Sequence, residues 1–171
     1  VHASHYVAHF DFGGKFPPFF LKRFNRFLAE DVSVSSLYRV PPGFHARFHA
    51  TSRSYVYEVT LKKDVFRKNT VASLPQLRDQ IDQGAMQAAA NMLLEYKAFA
   101  PFCKTNSDAF TMNCDLTEAR WEFKPNHWAF HISANRFLRG MVRLIVGMCI
   151  RVGQGKLRLE ELRTALDEQT R

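Results

Sequence analysis

Residues 119–132 read ARWEFKPNHWAFHI, and this stretch decides the fold class. Apolar side chains alternate with polar ones on both sides of a short turn: Ala119, Trp121 and Phe123 precede it, and Trp128, Phe130 and Ile132 follow it. Alternation of this kind predicts strands with one buried face, and the residues KPNH at 124–127 suit a turn. The stretch therefore predicts an antiparallel β-hairpin.

The rest of the chain mixes strand and helix patterns around this hairpin. Alternation predicts strands over residues 5–10, 32–40 and 53–62, and apolar periodicity predicts helices over 17–28, 76–96, 136–151 and 158–171. Gly84 is a candidate point of division in the second of these helices. Because the elements follow no regular βαβ rhythm, we expect an α+β class with a largely antiparallel sheet.

The charge distribution points towards a polyanionic partner. The net charge is +8, and the basic residues concentrate in three segments without an acid, over 12–29, 32–57 and 124–159. Net charge alone fits a merely basic, soluble protein equally well, but three acid-free segments exceed ordinary scatter. Nucleic acid is the partner that this pattern favours.

Other classes of protein receive little support from the sequence. No apolar run approaches the roughly 18 residues that a membrane span needs, and the three widely spaced cysteines fit neither a disulfide framework nor a zinc site. A reducing, cytoplasmic compartment fits best. His2, His5 and His9 lack the supporting ligands of a metal site, and no motif for a nucleotide cofactor is present. We therefore expect neither metal nor cofactor.

The predicted helix over 136–151 carries arginines in an apolar body. Arg136, Arg139 and Arg143 recur at spacings of three and four, which places them on one face, and Gly147 continues the stripe. One interpretation is an exposed stripe on a half-buried helix. The other is that at least one arginine meets a carboxylate or a phosphate, with Gly147 allowing another backbone to approach.

A second segment interleaves aromatic rings with cations. Residues 44–55 read FHARFHATSRSY. Rings that stack on unpaired bases beside cations that meet phosphates would suit single-stranded nucleic acid. The alternative is that Phe44 and Phe48 are core residues.

Four motifs together resemble those of the tRNA pseudouridine synthase I family (TruA family): VHA at 1–3, FHARF at 44–48, RSYVY at 53–57 and NRFLRGMVRLIVG at 135–147. The resemblance runs in the same order over essentially all 171 residues. It implies a pseudouridine synthase fold, two RRM-like halves around one antiparallel sheet flanked by helices, here truncated. Residues 1–62 would be the remainder of the N-terminal half, including the Tyr55 strand, and 63–171 an incomplete C-terminal half. It also implies a cofactor-independent homodimer that isomerises uridine in the anticodon stem-loop of tRNA, around positions 38 to 40.

The resemblance assigns roles to individual residues. Tyr55 would stack on the flipped base and assist proton removal at C5, and Arg143 would pair with the catalytic carboxylate. Ten further residues match positions at which the family contacts tRNA: Phe44, His45, Ala46, Arg47, Phe48, Lys15, Lys63, Asn106, Phe110 and Arg139.

The ends of the chain suggest an internal segment of a larger enzyme. The family's nucleophilic aspartate lies in a GRTDxGVHA loop, and the chain begins at the Val of that loop, so the aspartate would precede Val1. The GLYL-type strand near the family's C-terminus has no counterpart either. We therefore expect the parent protein to be active and this polypeptide alone to be inactive. The competing hypotheses are a non-catalytic RNA-binding or dimerisation module, and an unrelated α+β metabolic enzyme with a closed pocket.

Overall fold

The computed structural model describes residues 2–77, 81–105 and 110–170. The chain divides into two compact units, Val1–Ala50 and Thr51–Arg171. The strand that carries Tyr55 lies in the second unit, whereas the sequence led us to group it with the N-terminal half. The organisation into two RRM-like halves stays a prediction.

The first unit contains one short helix, α1, over Phe20–Phe24. No strand occurs within residues 2–50, so the strands predicted over 5–10 and 32–40 are wrong, and the helix predicted over 17–28 is much shorter. An isolated strand is unstable because its backbone groups need partners. The Asn25 side chain supplies such a partner to the second segment, since its amide group donates to the carbonyl of Val34 and its oxygen accepts from the Val34 N–H.

The second unit is built on a four-stranded sheet in the order β2-β1-β4-β3. The strands are β1 Arg53–Thr60, β2 Ala72–Ser73, β3 Leu116–Lys124 and β4 His127–Ala134. β4 pairs antiparallel with both β1 and β3, and β2 adds to β1 in parallel. The predicted hairpin and the α+β class are confirmed.

Three helices lie in the described part of the second unit: α2 Gln83–Met92, α3 Met141–Gly153 and α4 Leu159–Glu168. Single 3₁₀ turns lie at Pro75–Leu77, Leu93–Glu95 and Ala100–Phe102. Two helices begin later than predicted, each for a local reason. The Asp82 side chain accepts a hydrogen bond from the Ala85 N–H and caps α2. Gly140 has φ 78°, outside the helical region, so α3 can begin only after it.

The core lies between the sheet and the helices. The register pairs Tyr57 with Phe130 and Val59 with Trp128, which directs these side chains to the helical face. α2 packs on α3 at Gly153, whose carbonyl accepts from the Asp82 N–H at 2.8 Å. A large apolar cluster therefore supports this unit. By contrast, no side chain described within residues 2–50 is buried.

The face of the sheet that points away from the helices is polar, and its charged side chains form ion pairs with one another. Oε2 of Glu58 lies 2.5 Å from Nη2 of Arg67. Glu122 lies 2.6 Å from Lys124 and 3.3 Å from His131. Because these carboxylates already meet cations, this face offers little unbalanced charge to a polyanion.

Candidate active site

Tyr55 lies near the start of β1 on the helical face of the sheet. Its register partner is Ile132, which is fully buried, but the Tyr55 side chain is 37% exposed because it sits towards the end of the core. Its ring meets Phe137 edge-on, with centroids 5.2 Å apart and an interplanar angle of 75°. The strand and this contact hold the ring in one orientation while part of it stays open.

The segment after β4 is fastened to the start of β1 and to the residues before β3. Arg53 donates from Nη1 to the carbonyl oxygen of Asn135 at 2.8 Å. Asn135 and Asp115 exchange side-chain hydrogen bonds, since Nδ2 of Asn135 donates to Asp115 Oδ2 and Oδ1 of Asn135 accepts from the Asp115 N–H. These bonds fix the backbone two residues before Phe137. The sequence motif contained Asn135 and Phe137, but the pattern alone gave them no such role.

Arg143 lies in the first turn of α3, and its side chain is exposed. α3 packs against β1, so Tyr55 and Arg143 lie on neighbouring elements. Among residues 2–77, 81–105 and 110–170, no carboxylate forms an ion pair with Arg143. The pairing of Arg143 with the catalytic carboxylate stays a prediction. The exposure of Arg143 agrees with an exposed stripe on a half-buried helix.

The geometry of α3 explains this result. Its apolar side chains turn towards α2 and the sheet, and Arg143, Leu144, Gly147 and Arg151 form the opposite, exposed face. A Cβ built on Gly147 meets no atom within 4 Å, so none of the described residues makes the close backbone approach expected there. The crowded glycine is Gly153, at the other end of the helix.

The remaining two arginines of the stripe flank the start of α3. Arg136 is half-buried, and Arg139 is exposed. The backbone carbonyl of Arg139 accepts a hydrogen bond from the Lys104 N–H at 3.1 Å, and the aliphatic part of the Lys104 side chain lies against Gly140. Cationic groups therefore gather around the N-terminus of α3.

The FHARF segment, in the first unit, forms a compact turn with outward-facing groups. Nδ1 of His45 accepts hydrogen bonds from the N–H groups of Arg47 and Phe48, at 3.2 and 3.4 Å. Arg47 and Phe48 are exposed, with the guanidinium carbon 5.7 Å from the ring centroid, whereas Phe44 and Ala46 are half-buried. The alternative that Phe44 and Phe48 are core residues is wrong, since neither is buried.

The other predicted tRNA contacts lie apart from one another along the chain. Lys15 is exposed in the first unit. Lys63 is exposed just beyond the end of β1, at the opposite end of that strand from Tyr55. Phe110 is fully exposed, and Asn106 lies outside the described residues.

The described part of the chain offers no support for a metabolic enzyme with its own closed site. Two grooves of about 380 Å³ each flank the hairpin turn at Pro125 and Asn126, and both are open to solvent. Within the same ranges, no cluster of three His, Cys, Asp or Glu side chains could hold a metal ion. None of the helices described there has the length and apolar character that crossing a membrane requires.

Comparison with known proteins places the chain in a family. A tRNA pseudouridine synthase A of Parabacteroides distasonis is 40% identical over 173 residues, which cover 100% of this chain and 68% of that relative. This chain belongs to the tRNA pseudouridine synthase family. A family model for tRNA pseudouridine synthase matches residues 89–171, which include the hairpin and Arg143. The chain is also 39% identical, over 176 residues, to a tRNA pseudouridine synthase A of Bacteroides fragilis, covering 100% of this chain and 68% of that relative.

Membership of the tRNA pseudouridine synthase family makes the protein one of a group of isomerases. A tRNA pseudouridine synthase A of Chlorobaculum tepidum is 36% identical over 133 residues, which cover 78% of this chain and 53% of that relative. The α+β sheet with its flanking helices agrees with the fold expected of the family. Tyr55 lies outside the residues that the family model matches, but inside the alignments that span the whole chain.

Proposed function

We propose that the protein is a tRNA pseudouridine synthase that isomerises uridine in the anticodon stem-loop, around positions 38 to 40. The observation that carries this proposal is the placement of Tyr55: a strand-held ring, edge-on to Phe137 and 37% exposed, in a chain of this family. A ring held in this way can receive a flipped base on its open side. The basic, acid-free segments of the chain supply the charge that a tRNA backbone requires.

The reaction determines what the site must provide. The N1–C1′ bond of uridine breaks, the base rotates, and a C5–C1′ bond forms. C5 then loses its proton while N1 gains one, so the product is an isomer. The target base must first leave its stack, at a cost of a few kcal/mol, and stacking on the Tyr55 ring offsets part of that cost. The Tyr55 hydroxyl is the group that we assign to proton removal at C5.

Arg143 is the partner that we assign to the catalytic carboxylate. An arginine within contact distance of a carboxylate favours its ionised form, which is the form that a nucleophile requires. Exposure of Arg143 on α3 leaves it accessible to such a group. Asp11 is the nearest acid to the VHA motif, and it does not match the family's aspartate. We therefore expect the 171-residue polypeptide alone to be inactive.

The proposal also covers the binding partner, the oligomeric state, the location and the cofactor requirement of the protein. tRNA is the proposed polyanionic partner, and Arg47, Phe48 and Arg139 are exposed groups that can contact it. A homodimer in the intact protein and a cytoplasmic location are parts of the same proposal. No cofactor takes part in it, because breaking and re-forming a glycosidic bond within one nucleotide requires no net oxidant or reductant.

Tritium release from tRNA that carries 5-tritiated uridine tests the proposal. We expect no release by the 171-residue polypeptide and turnover by the complete gene product that contains it. Tyr55→Phe in the complete product keeps the stacking ring and removes the hydroxyl, whereas Tyr55→Ala removes both. Turnover by the polypeptide alone would contradict the assignment of the nucleophile, and no turnover by the complete product would contradict the function.

The second candidate is a non-catalytic RNA-binding or dimerisation module. The exposed Arg143, without a carboxylate partner among the described residues, is the observation that favours it. The two candidate functions predict different binding and turnover for the complete gene product. The module requires tRNA binding without tritium release, and it requires Arg143→Lys to affect binding only. The enzyme requires Arg143→Lys to lower turnover.

A further inference from the structure

We propose that the loop after β1, residues 62–70, is a second RNA contact in which the Phe66 ring stacks on an unpaired base. The inference rests on the proposed RNA substrate, and it goes beyond the predicted tRNA contact at Lys63 by adding Phe66 as a stacking ring far from the reacting uridine. Lys62 follows Tyr55 by seven positions, mostly in strand conformation, which corresponds to about 23 Å at ~3.3 Å per residue. The loop therefore meets a different part of the RNA from Tyr55.

The loop carries more positive charge than its own acids neutralise. Residues 62–68 read KKDVFRK. Arg67 is engaged by Glu58 at 2.5 Å. Lys62, Lys63 and Lys68 are exposed, and none of them forms an ion pair with a carboxylate in the described ranges. Three unneutralised cations in one loop are suited to phosphates.

Hydrogen bonds fix the loop on either side of Phe66. Oδ1 of Asp64 accepts from the N–H groups of Phe66 and Arg67 at 3.0 and 3.3 Å. The carbonyl oxygen of Arg67 accepts from the N–H groups of Thr70 and Val71 at 3.0 and 3.2 Å. The single acid of the loop is thus used to shape it. The backbone that carries Phe66 is organised before any ligand binds, which lowers the entropic cost of binding.

Phe66 projects from this organised backbone into solvent, with 95% of its surface exposed. Burial of a Phe side chain is worth about 1.5–3 kcal/mol, and Phe66 contributes almost none of this to the fold. Beside it lies a groove of about 380 Å³, which is also lined by Lys62, Lys63 and Asn126. That volume is at the lower end of the ~300–1,000 Å³ of small-molecule sites, which suits one nucleotide.

The surroundings of Phe66 favour RNA over a protein partner. The exposed apolar surface at the loop is limited to Phe66 and Val65, and cations surround it. A protein interface generally depletes lysine from its centre and enlarges the apolar patch. A lone ring among lysines is instead the combination that single-stranded RNA uses, because bases stack on the ring and phosphates meet the cations.

The test compares Phe66→Leu with Phe66→Tyr in the complete gene product. Tyr keeps an aromatic face, whereas Leu keeps the apolar character without it. We expect Phe66→Leu to weaken tRNA binding roughly fivefold or more, the lower limit for loss of one stacked base. KM should rise in parallel with kcat unchanged, because the loop lies far from the reacting uridine. Phe66→Tyr should bind as the unsubstituted protein does.

Two controls separate the possible results. Leu94→Ala truncates an exposed apolar side chain outside the loop and should leave the affinity unchanged. Lys62→Gln should reduce the slope of log affinity against log salt by about one. Unchanged affinity in Phe66→Leu overturns this inference, as does loss of self-association with normal tRNA affinity, which would assign the loop to a second copy of the chain. Failure of the unsubstituted protein to bind or turn over tRNA contradicts the proposed function itself.

Discussion

The Tyr55 ring rests edge-on against Phe137, with their centroids 5.2 Å apart. Tyr55 belongs to β1, and Phe137 lies between β4 and α3. Hydrogen bonds from Arg53 and Asp115 to Asn135 fix the backbone beside Phe137. The contact therefore joins the proposed stacking residue to the segment that leads into the arginine helix.

Phe137→Leu tests whether Phe137 positions the Tyr55 ring. An aromatic pair of this kind contributes about 0.5–1.5 kcal/mol beyond burial, so the free energy of unfolding should fall by about that amount. kcat/KM for tritium release by the complete gene product should fall as well, because Tyr55 loses its fixed orientation. Tyr55→Phe is the matched control, since it keeps the ring contact and should leave urea unfolding almost unchanged. Normal stability and turnover in Phe137→Leu would refute the positioning role.

Two glycines of α3 should respond to alanine in opposite directions. A Cβ on Gly153 would lie 2.5 Å from Cγ of Met86 and 3.0 Å from the backbone oxygen of Asp82. Gly153→Ala should therefore destabilise the chain by about 1–3 kcal/mol. Gly147 faces open space among the described residues, so Gly147→Ala should stabilise the helix by about 0.5–1 kcal/mol. Urea unfolding of the two variants measures both effects, and equal effects would disprove the packing described for Gly153.

The ion pairs of Glu58 should make stability depend on acid pH. Burial by itself raises the pKa of Glu58, but the hydrogen bond and charge of Arg67, together with the charge of His127, outweigh it and lower the pKa. Nε2 of His127 lies 3.2 Å from Oε1 of Glu58 and contributes to this lowering of the Glu58 pKa. A lowered carboxyl pKa contributes stability that is fully present above the unfolded pKa of about 4.3 and is lost as the pH falls through the folded pKa.

Glu58→Gln should therefore flatten the pH dependence of unfolding below about pH 4.3. A double-mutant cycle with Arg67→Gln should give a coupling of about 0.2–1 kcal/mol at neutral pH, because both side chains are partly exposed to solvent. The coupling should vanish once Glu58 is protonated. A coupling that persists in acid would show that charge is not its source.

The cysteines should be unreactive in the native chain. Cys103, Cys114 and Cys149 are all free and buried. Burial raises the pKa of Cys149 to about 12 and also raises the pKa of Cys114, so little thiolate forms at neutral pH. Titration with a thiol reagent should detect no fast-reacting group before denaturation and three groups after it. A thiol that reacts at the rate of free cysteine in the native chain would contradict the burial.

How well the sequence predicted a structural feature depends on how local that feature is. Strict alternation specified the hairpin, because a period of two directs every second side chain to one face. The same kind of pattern over residues 5–10 and 32–40 gave no strands, since a strand exists only where its backbone finds a partner. The helix start at Gln83 depended on a side-chain cap at Asp82, where the pattern had suggested Gly84 as a breaking point.

At the candidate site, too, local features were predictable from the sequence, and features that depend on distant segments were not. The sequence by itself determined the family, through motifs whose residues and order are local properties of the chain, and it singled out Tyr55 and Arg143. Only the tertiary structure decided that Tyr55 contacts Phe137, that Arg143 is exposed, and that Gly153 instead of Gly147 meets another element. Periodicity places side chains on a common face of an element, but whether that face is covered depends on which distant segments pack against it.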